Sequence, residues 1–188
     1  MKRTLNPDTV ISPLPVVMVT VGDEKEHNIL AIAWTGIISS EPPMTYISVS
    51  KERYSHNLLM RTGEFIINLV PGNLTRELDY CGNTSGSRTN KFRDLKLTPA
   101  KGSIVSCPAI DESPINIECI VKEIKEFDSH DMFIAEIVSV TADEEYIDDN
   151  RNIDITDLPL AAFCNGQYFS TNENQLGFYG FSLTPSDS

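Results

Sequence analysis

The residues best suited to chemistry lie between Lys51 and Lys96, where eight basic side chains (Lys51, Arg53, Arg61, Arg76, Arg88, Lys91, Arg93 and Lys96) stand against five acidic ones. The segment carries +3 inside a chain of 188 residues whose net charge is −12, so the remainder sums to −15. Serine- and glycine-bearing loops run through the same stretch, above all Gly82 to Asn90 (GNTSGSRTN). Cations beside hydroxyls and turn backbone N–H groups are what a compact anion such as a phosphate monoester requires. The plainer alternative is a set of ordinary surface lysines and arginines, each worth little alone.

Other chemistries find less support. His27, His56 and His130 are scattered without metal-ligand spacing, and Cys81, Cys107, Cys119 and Cys164 form no CxxC or CxxxH pattern, so no metal site is expected. The four cysteines read as small buried residues. No Ser/His/Asp order stands out, and carboxylates are too numerous in so acidic a chain to single out an acid/base pair, so the catalytic residues stay unassigned. Neither GxGxxG nor GxxxxGK[ST] occurs, which removes the familiar dinucleotide and nucleoside triphosphate loops.

Four further residues stand out, two of them with two readings each. Trp34, the only tryptophan, is a core or rim aromatic or a flat surface for a heteroaromatic ligand. His130 is an exposed turn histidine or a contact to an anion or ring. Asn28 opens a strand after an acidic turn and reads as closing that turn. Phe163, in LPLAAF, reads most simply as a packing residue.

The elements that must position these residues are mostly strands. Pro13 to Val21 and Asn28 to Trp34, separated by Gly22-Asp23-Glu24-Lys25, predict a hairpin, and Met44 to Ser50 and Glu64 to Val70 have strand composition. Arg53 to Arg61 predicts a short helix capped by Gly63, and Leu74 to Tyr80 a second one ending at Cys81-Gly82-Asn83. Ile115 to Phe127 and Met132 to Ala142 predict two long strands joined by a turn at Asp128 to Asp131, their apolar residues on both faces suggesting cover by a second layer. Six strands with short inserted helices favour a mainly β, small antiparallel barrel of a single domain over a Rossmann sheet.

Composition bounds the partners. A pI near 4.6 argues against a general nucleic-acid binder, and 40% hydrophobic with 22% charged residues is ordinary for a globular chain. Apolar runs are strand-sized, the N-terminus lacks a signal-peptide pattern, and the thiols suit a reducing compartment, so a cytoplasmic protein without membrane attachment is expected. The acidic segment Asp143 to Asp157 reads as a solvated loop or helix face.

The order PLPVVMVT, NILAIAWTGIISSEPPMTYISV, RYSHNLLMRTGEFIINLV, DYCGNTSGSRTNKF and a closing LGFYGFS resembles the flavin reductase-like proteins of the FMN-binding split-barrel fold, most closely the flavoredoxins, from about Leu14 to Ser182. That resemblance implies FMN held by Asn28, Trp34, Ser55, Lys91, His130 and Phe163, with Arg53 as a third phosphate donor beside Ser55 and Lys91. Ser55 and Lys91 would anchor the phosphate, Trp34 and Phe163 would supply surface for the isoalloxazine, and Asn28 would bond its polar edge. It also implies a homodimer with flavin near the interface and NADH or NADPH as hydride donor. Two other readings stay open: an FMN electron carrier reduced by a protein partner, and a non-catalytic barrel binding another anion.

Overall fold

The structure is a computed structural model that describes residues 1–171 and 175–179. Its strands among those residues are β1 (Leu14–Pro15), β2 (Val17–Gly22), β3 (His27–Ile32), β4 (Thr35–Ser40), β5 (Pro43–Ser50), β6 (Glu64–Leu69), β7 (Pro99–Ala100), β8 (Ala109–Ile110), β9 (Ile115–Glu126), β10 (His130–Ala142), β11 (Ala161–Cys164) and β12 (Gln167–Ser170). Helices α1 (Tyr54–Thr62), α2 (Thr75–Asn83) and α3 (Lys91–Leu95) are inserted between them.

Seven strands make one sheet in the order β3-β2-β6-β9-β10-β5-β4, while β1, β11 and β12 form a small sheet and β7 pairs with β8. Every neighbouring pair is antiparallel. The β2–β3 turn is set by Gly22, whose φ of 104° and whose 2.1 Å clearance between an ideal Cβ and the Glu26 carbonyl leave room for glycine only. The Asp23 carboxylate then accepts the N–H groups of Lys25 and Glu26, both at 2.9 Å.

All of β2 is buried because both of its faces are covered. Val17, Val19 and Val21 face the barrel interior with Leu58 and Leu59 of α1, Phe65 and Phe133. Met18 faces the other way, into a cluster with Leu74, Leu78 and Phe92 beneath α2 and α3. Each such side chain contributes about 1.5–3 kcal/mol by leaving water, which is why this strand reads as an unbroken apolar run.

The long β9–β10 hairpin behaves differently from the expectation of two covered faces. Lys122 to Glu126 of β9 are exposed, because charged residues occupy four of these five positions, and Lys122 pairs with Glu136 across the hairpin at 2.8 Å. The turn also ends earlier than expected: His130 is the first residue of β10, opposite Ser50 of β5.

The sheet closes without a complete ladder. Ala33 and Trp34 lead directly from β3 into β4, and Ser48 donates its N–H to the Trp34 carbonyl at 2.9 Å. Yet the ladder neighbour of β3 is β2, and β5 lies between β10 and β4. A gap therefore runs between β3 and the end of β5, which makes this a split barrel. Helix α1 begins just beyond β5, and Gly63 ends it as predicted, with φ 65° and its N–H on the Leu59 carbonyl at 2.9 Å.

Candidate functional site

Three cavities follow one another along the split. The first, about 480 Å³, is lined by Asn28, Arg53, Ser55, Lys91 and His130 together with Cys81, Thr84, Ser85 and Gly86. The second, about 170 Å³, shares Leu30, Ser50, Arg53 and His130 with the first and extends along β3 to Trp34. The third, about 580 Å³, lies beyond Trp34 and is walled by Phe163, Cys164, Asn165 and the arm Asp8 to Ser12. All seven residues singled out in the sequence thus line a continuous series of cavities, although Lys91 and Phe163 occupy its opposite ends.

The first cavity is built from buried polar groups. Ser55, 1% exposed, sits in the first turn of α1, and its hydroxyl accepts the Asn28 amide at 2.8 Å. Gly86 presses against that amide: a Cβ there would meet Asn28 atoms at 2.4 Å. Arg53, the N-cap of α1, donates to the Gly82 carbonyl at 2.8 Å and so ties the helix start to the end of α2. The first turn of α1 carries no acidic residue and no side-chain cap. Its leading N–H groups and dipole therefore offer positive potential to the cavity.

Lys91, 3% exposed, opens α3 where Asn90 caps the helix by accepting the Arg93 N–H at 3.1 Å. Two of its three ammonium protons are committed, to the carbonyls of Ile29 at 2.6 Å and Cys81 at 2.8 Å. One proton remains for the cavity. Burial pushes its pKa down to about 8, with the nearby Arg53 cation acting in the same direction. Cys81 beside it is buried too, and its thiol is pushed up to about 11, so it stays protonated and unreactive near neutral pH.

The Trp34 end is made differently. Trp34 is 40% exposed, and its indole lies against the His130 imidazole with centroids 4.6 Å apart. His130 Nδ1 is 2.9 Å from the Ser129 hydroxyl. Phe163 is half-buried, 5.4 Å from the Tyr168 ring, and the Tyr168 hydroxyl donates to Asp79 at 3.0 Å.

The +3 segment is not a single patch. Lys51 lies 3.3 Å from Asp131, Arg61 pairs with Asp23 and Glu26, and Arg93 pairs with Asp94. Of the eight cations, Arg53 and Lys91 reach the first cavity. Three of the four cysteines are buried as expected, and Cys164 is half-buried. The segment 143–157 is exposed throughout except for a half-buried Tyr146.

Gly86, Thr84 and Ser85 were not picked out individually by the sequence reading, although the GNTSGSRTN composition marked their loop. The Asp8 to Ser12 arm gave no signal, because it is an exposed, irregular segment whose place depends on β1 pairing with β11.

Comparison with known proteins defines the class. The chain belongs to the flavin reductase-like domain family, matching it over residues 11–172. A flavoredoxin of Desulfovibrio vulgaris (Miyazaki F) superposes with a TM-score of 0.87 at 31% identity, covering 97% of this chain and 100% of that one. A flavoredoxin from Methanosarcina acetivorans gives a TM-score of 0.87 at 26% identity, covering 97% and 99%. An uncharacterized protein of Archaeoglobus fulgidus is 30% identical over 164 residues, 87% of this chain and 90% of its own length. No helix among the described residues is long and apolar enough to cross a membrane.

Proposed function

We propose that this protein binds FMN along the split and works as an NAD(P)H-dependent flavin reductase or oxidoreductase. The observation that carries this reading is the convergence of Asn28, Arg53, Ser55, Lys91 and His130, drawn from β3, α1, α3 and β10, on one cavity that continues to Trp34. The donor set fits a phosphate: one ammonium proton, a guanidinium, a hydroxyl and a helix start free of acidic side chains. Gly86 leaves a space that any Cβ would fill. The flavin when bound supplies hydride and electron transfer.

The chain's own groups position it. Ser55 and Lys91 anchor the phosphate, and Arg53 screens its charge from the rim. Asn28, its amide already donating to Ser55, keeps its carbonyl oxygen for the ligand's donors. Trp34 and Phe163 offer flat apolar walls at the open end, where NADH or NADPH would approach.

A homodimer belongs to the same proposal. Ile37 is 75% exposed and Ile38 48% exposed on β4, the edge strand that begins one residue after Trp34. An exposed apolar edge strand invites a partner, and a second copy seated there would cover the ring end.

The test is optical. Purified protein offered FMN should acquire a bound-flavin visible spectrum, and anaerobic NADH or NADPH should bleach it. A protein that gains no flavin bands sinks the proposal. Bleaching by dithionite but by neither pyridine nucleotide would leave an electron carrier fed by a protein partner, for which the acidic surface would steer a basic one.

A further inference from the structure

Helix α1 starts at the split, and its first three residues reach both lips of it. Tyr54 donates its hydroxyl to Glu26 of the β2–β3 turn, and Ser55 accepts the Asn28 amide of β3 at 2.8 Å. Successive helical residues point about 100° apart, so His56 reaches away from these two and across to β10. Its Nε2 lies 2.7 Å from one carboxylate oxygen of Asp131, and Lys51 Nζ, just past the end of β5, lies 3.3 Å from the other.

Asp131 is 4% exposed and follows His130 directly on β10. Neighbouring strand residues face opposite sides of a sheet. His130 therefore meets Trp34 at the split, while Asp131 points to the side of Phe133, whose ring meets the His56 imidazole edge-on at 5.6 Å. Neither His56 nor Asp131 lines any of the three cavities of the split, yet each adjoins in sequence a residue that lines the first one, Ser55 and His130. A buried ion pair often adds little stability over well-packed apolar side chains, so what this one supplies is a fixed geometry between α1 and β10.

We propose that His56 and Asp131 are positioning residues of the flavin site, setting the width of the phosphate cavity by joining the chain neighbours of Ser55 and His130. The inference rests on the flavin reading above. Two ties then fix Ser55 from opposite sides: the Asn28 amide from β3, and the His56–Asp131 bond from β10. Lys51 balances the Asp131 charge from the half-exposed rim, which lets the carboxylate stay ionised and accept from the imidazole.

Flavin fluorescence titrations with FMN and with riboflavin, which lacks the phosphate, test this against a merely structural role. Asp131→Leu and His56→Leu should each weaken FMN about tenfold and riboflavin by no more than about twofold. His56→Gln, whose amide can still donate to Asp131, should recover most of that loss. In a Ser55→Ala background the further effect of Asp131→Leu on FMN should shrink to within about twofold, because a misplaced hydroxyl cannot be lost twice. Unchanged FMN affinity in both leucine variants overturns the proposal. So does an equal loss of FMN and riboflavin, which marks general destabilisation, or a full tenfold loss on top of Ser55→Ala. The two leucine variants approach the same bond from either side, so one that does not fold leaves the other to decide. Failure of the wild type to bind either flavin is a different result, the failure of the flavin reading itself.

Discussion

The two ends of the split are built by opposite means. At the α1 end, Asn28, Ser55 and Lys91 are almost wholly buried, each is hydrogen-bonded to a fixed partner, and the backbone of Gly86 closes against Asn28. At the β4 end, Trp34 is 40% exposed and the cavity wall is an irregular arm paired through a two-residue strand. The first end is organised before any ligand arrives, so binding there costs little ordering. The second is open, and under the proposed placement of FMN it is where the flavin ring would lie. The difference predicts that affinity is set at the phosphate end and reactivity at the ring end.

The sharpest way to break that division is Gly86→Val. Its Cβ would meet the Asn28 amide at 2.4 Å, so the Asn28–Ser55 bond or the loop must give way. Overpacking costs about 1–3 kcal/mol, and with the lost polar geometry FMN affinity should fall on the order of a hundredfold. Near-normal affinity in a variant with a normal melting transition would show that the phosphate end is as pliable as the ring end.

Lys91→Ala comes next. Removing one charge-assisted bond should weaken FMN by about 1.5–3 kcal/mol, roughly 10- to 150-fold. It also strips the Ile29 and Cys81 carbonyls of their donor, so the melting temperature should fall as well. Unchanged FMN affinity would remove Lys91 from the site whatever the stability change.

The same lysine makes a pH prediction with two signs. Burial pushes its pKa in the empty folded protein down to about 8 from the 10.5 of a free lysine, so between these values the unfolded chain holds more of the proton. Stability of the empty protein should therefore rise with pH across that window, the penalty being fully present below about 8. A bound phosphate favours the charged amine, so FMN affinity should fall as pH rises above about 8, by up to roughly tenfold per unit. Urea melts and flavin titrations from neutral pH upward measure the two trends, and both should flatten in Lys91→Met.

Much of this was legible in the sequence where a single local cause decides the outcome. The Gly63 cap, the β2–β3 hairpin and the apolar run of β2 follow from one left-handed position, one turn and two covered faces. Lys91 stands among eight cations and Asn28 beside an acidic turn in the sequence, but that they meet Ser55 could be told only through the family resemblance, because the convergence depends on contacts 27 to 62 positions apart. The +3 segment is dispersed by the fold, since Lys51 and Arg61 are committed to Asp131 and to Asp23 and Glu26 while Arg53 and Lys91 line the first cavity. Pro13 to Val21, read as one strand, divides at Val16 into β1 and β2; β11 and β12 were missed because strands of four residues carry too little periodicity to read, and β4 because its exposed Ile37 and Ile38 break the alternation of a half-buried strand.

The smallest expected effect on affinity is at the ring end. Trp34 lies against His130 and has solvent over much of its surface, so Trp34→Leu removes aromatic contact without opening the phosphate cavity. An aromatic pair is worth about 0.5–1.5 kcal/mol beyond its area, so FMN affinity should drop by no more than roughly tenfold. The flavin's surroundings, however, change where its ring would rest, so the bound spectrum and the rate of reduction by NADH or NADPH should shift more than the dissociation constant does. Stopped-flow reduction beside a flavin titration on the same variant separates the two quantities. If Trp34→Leu weakened FMN as much as Lys91→Ala while leaving the reduction rate of the bound flavin untouched, the division of labour between the two ends would be the reverse of the one their burial implies.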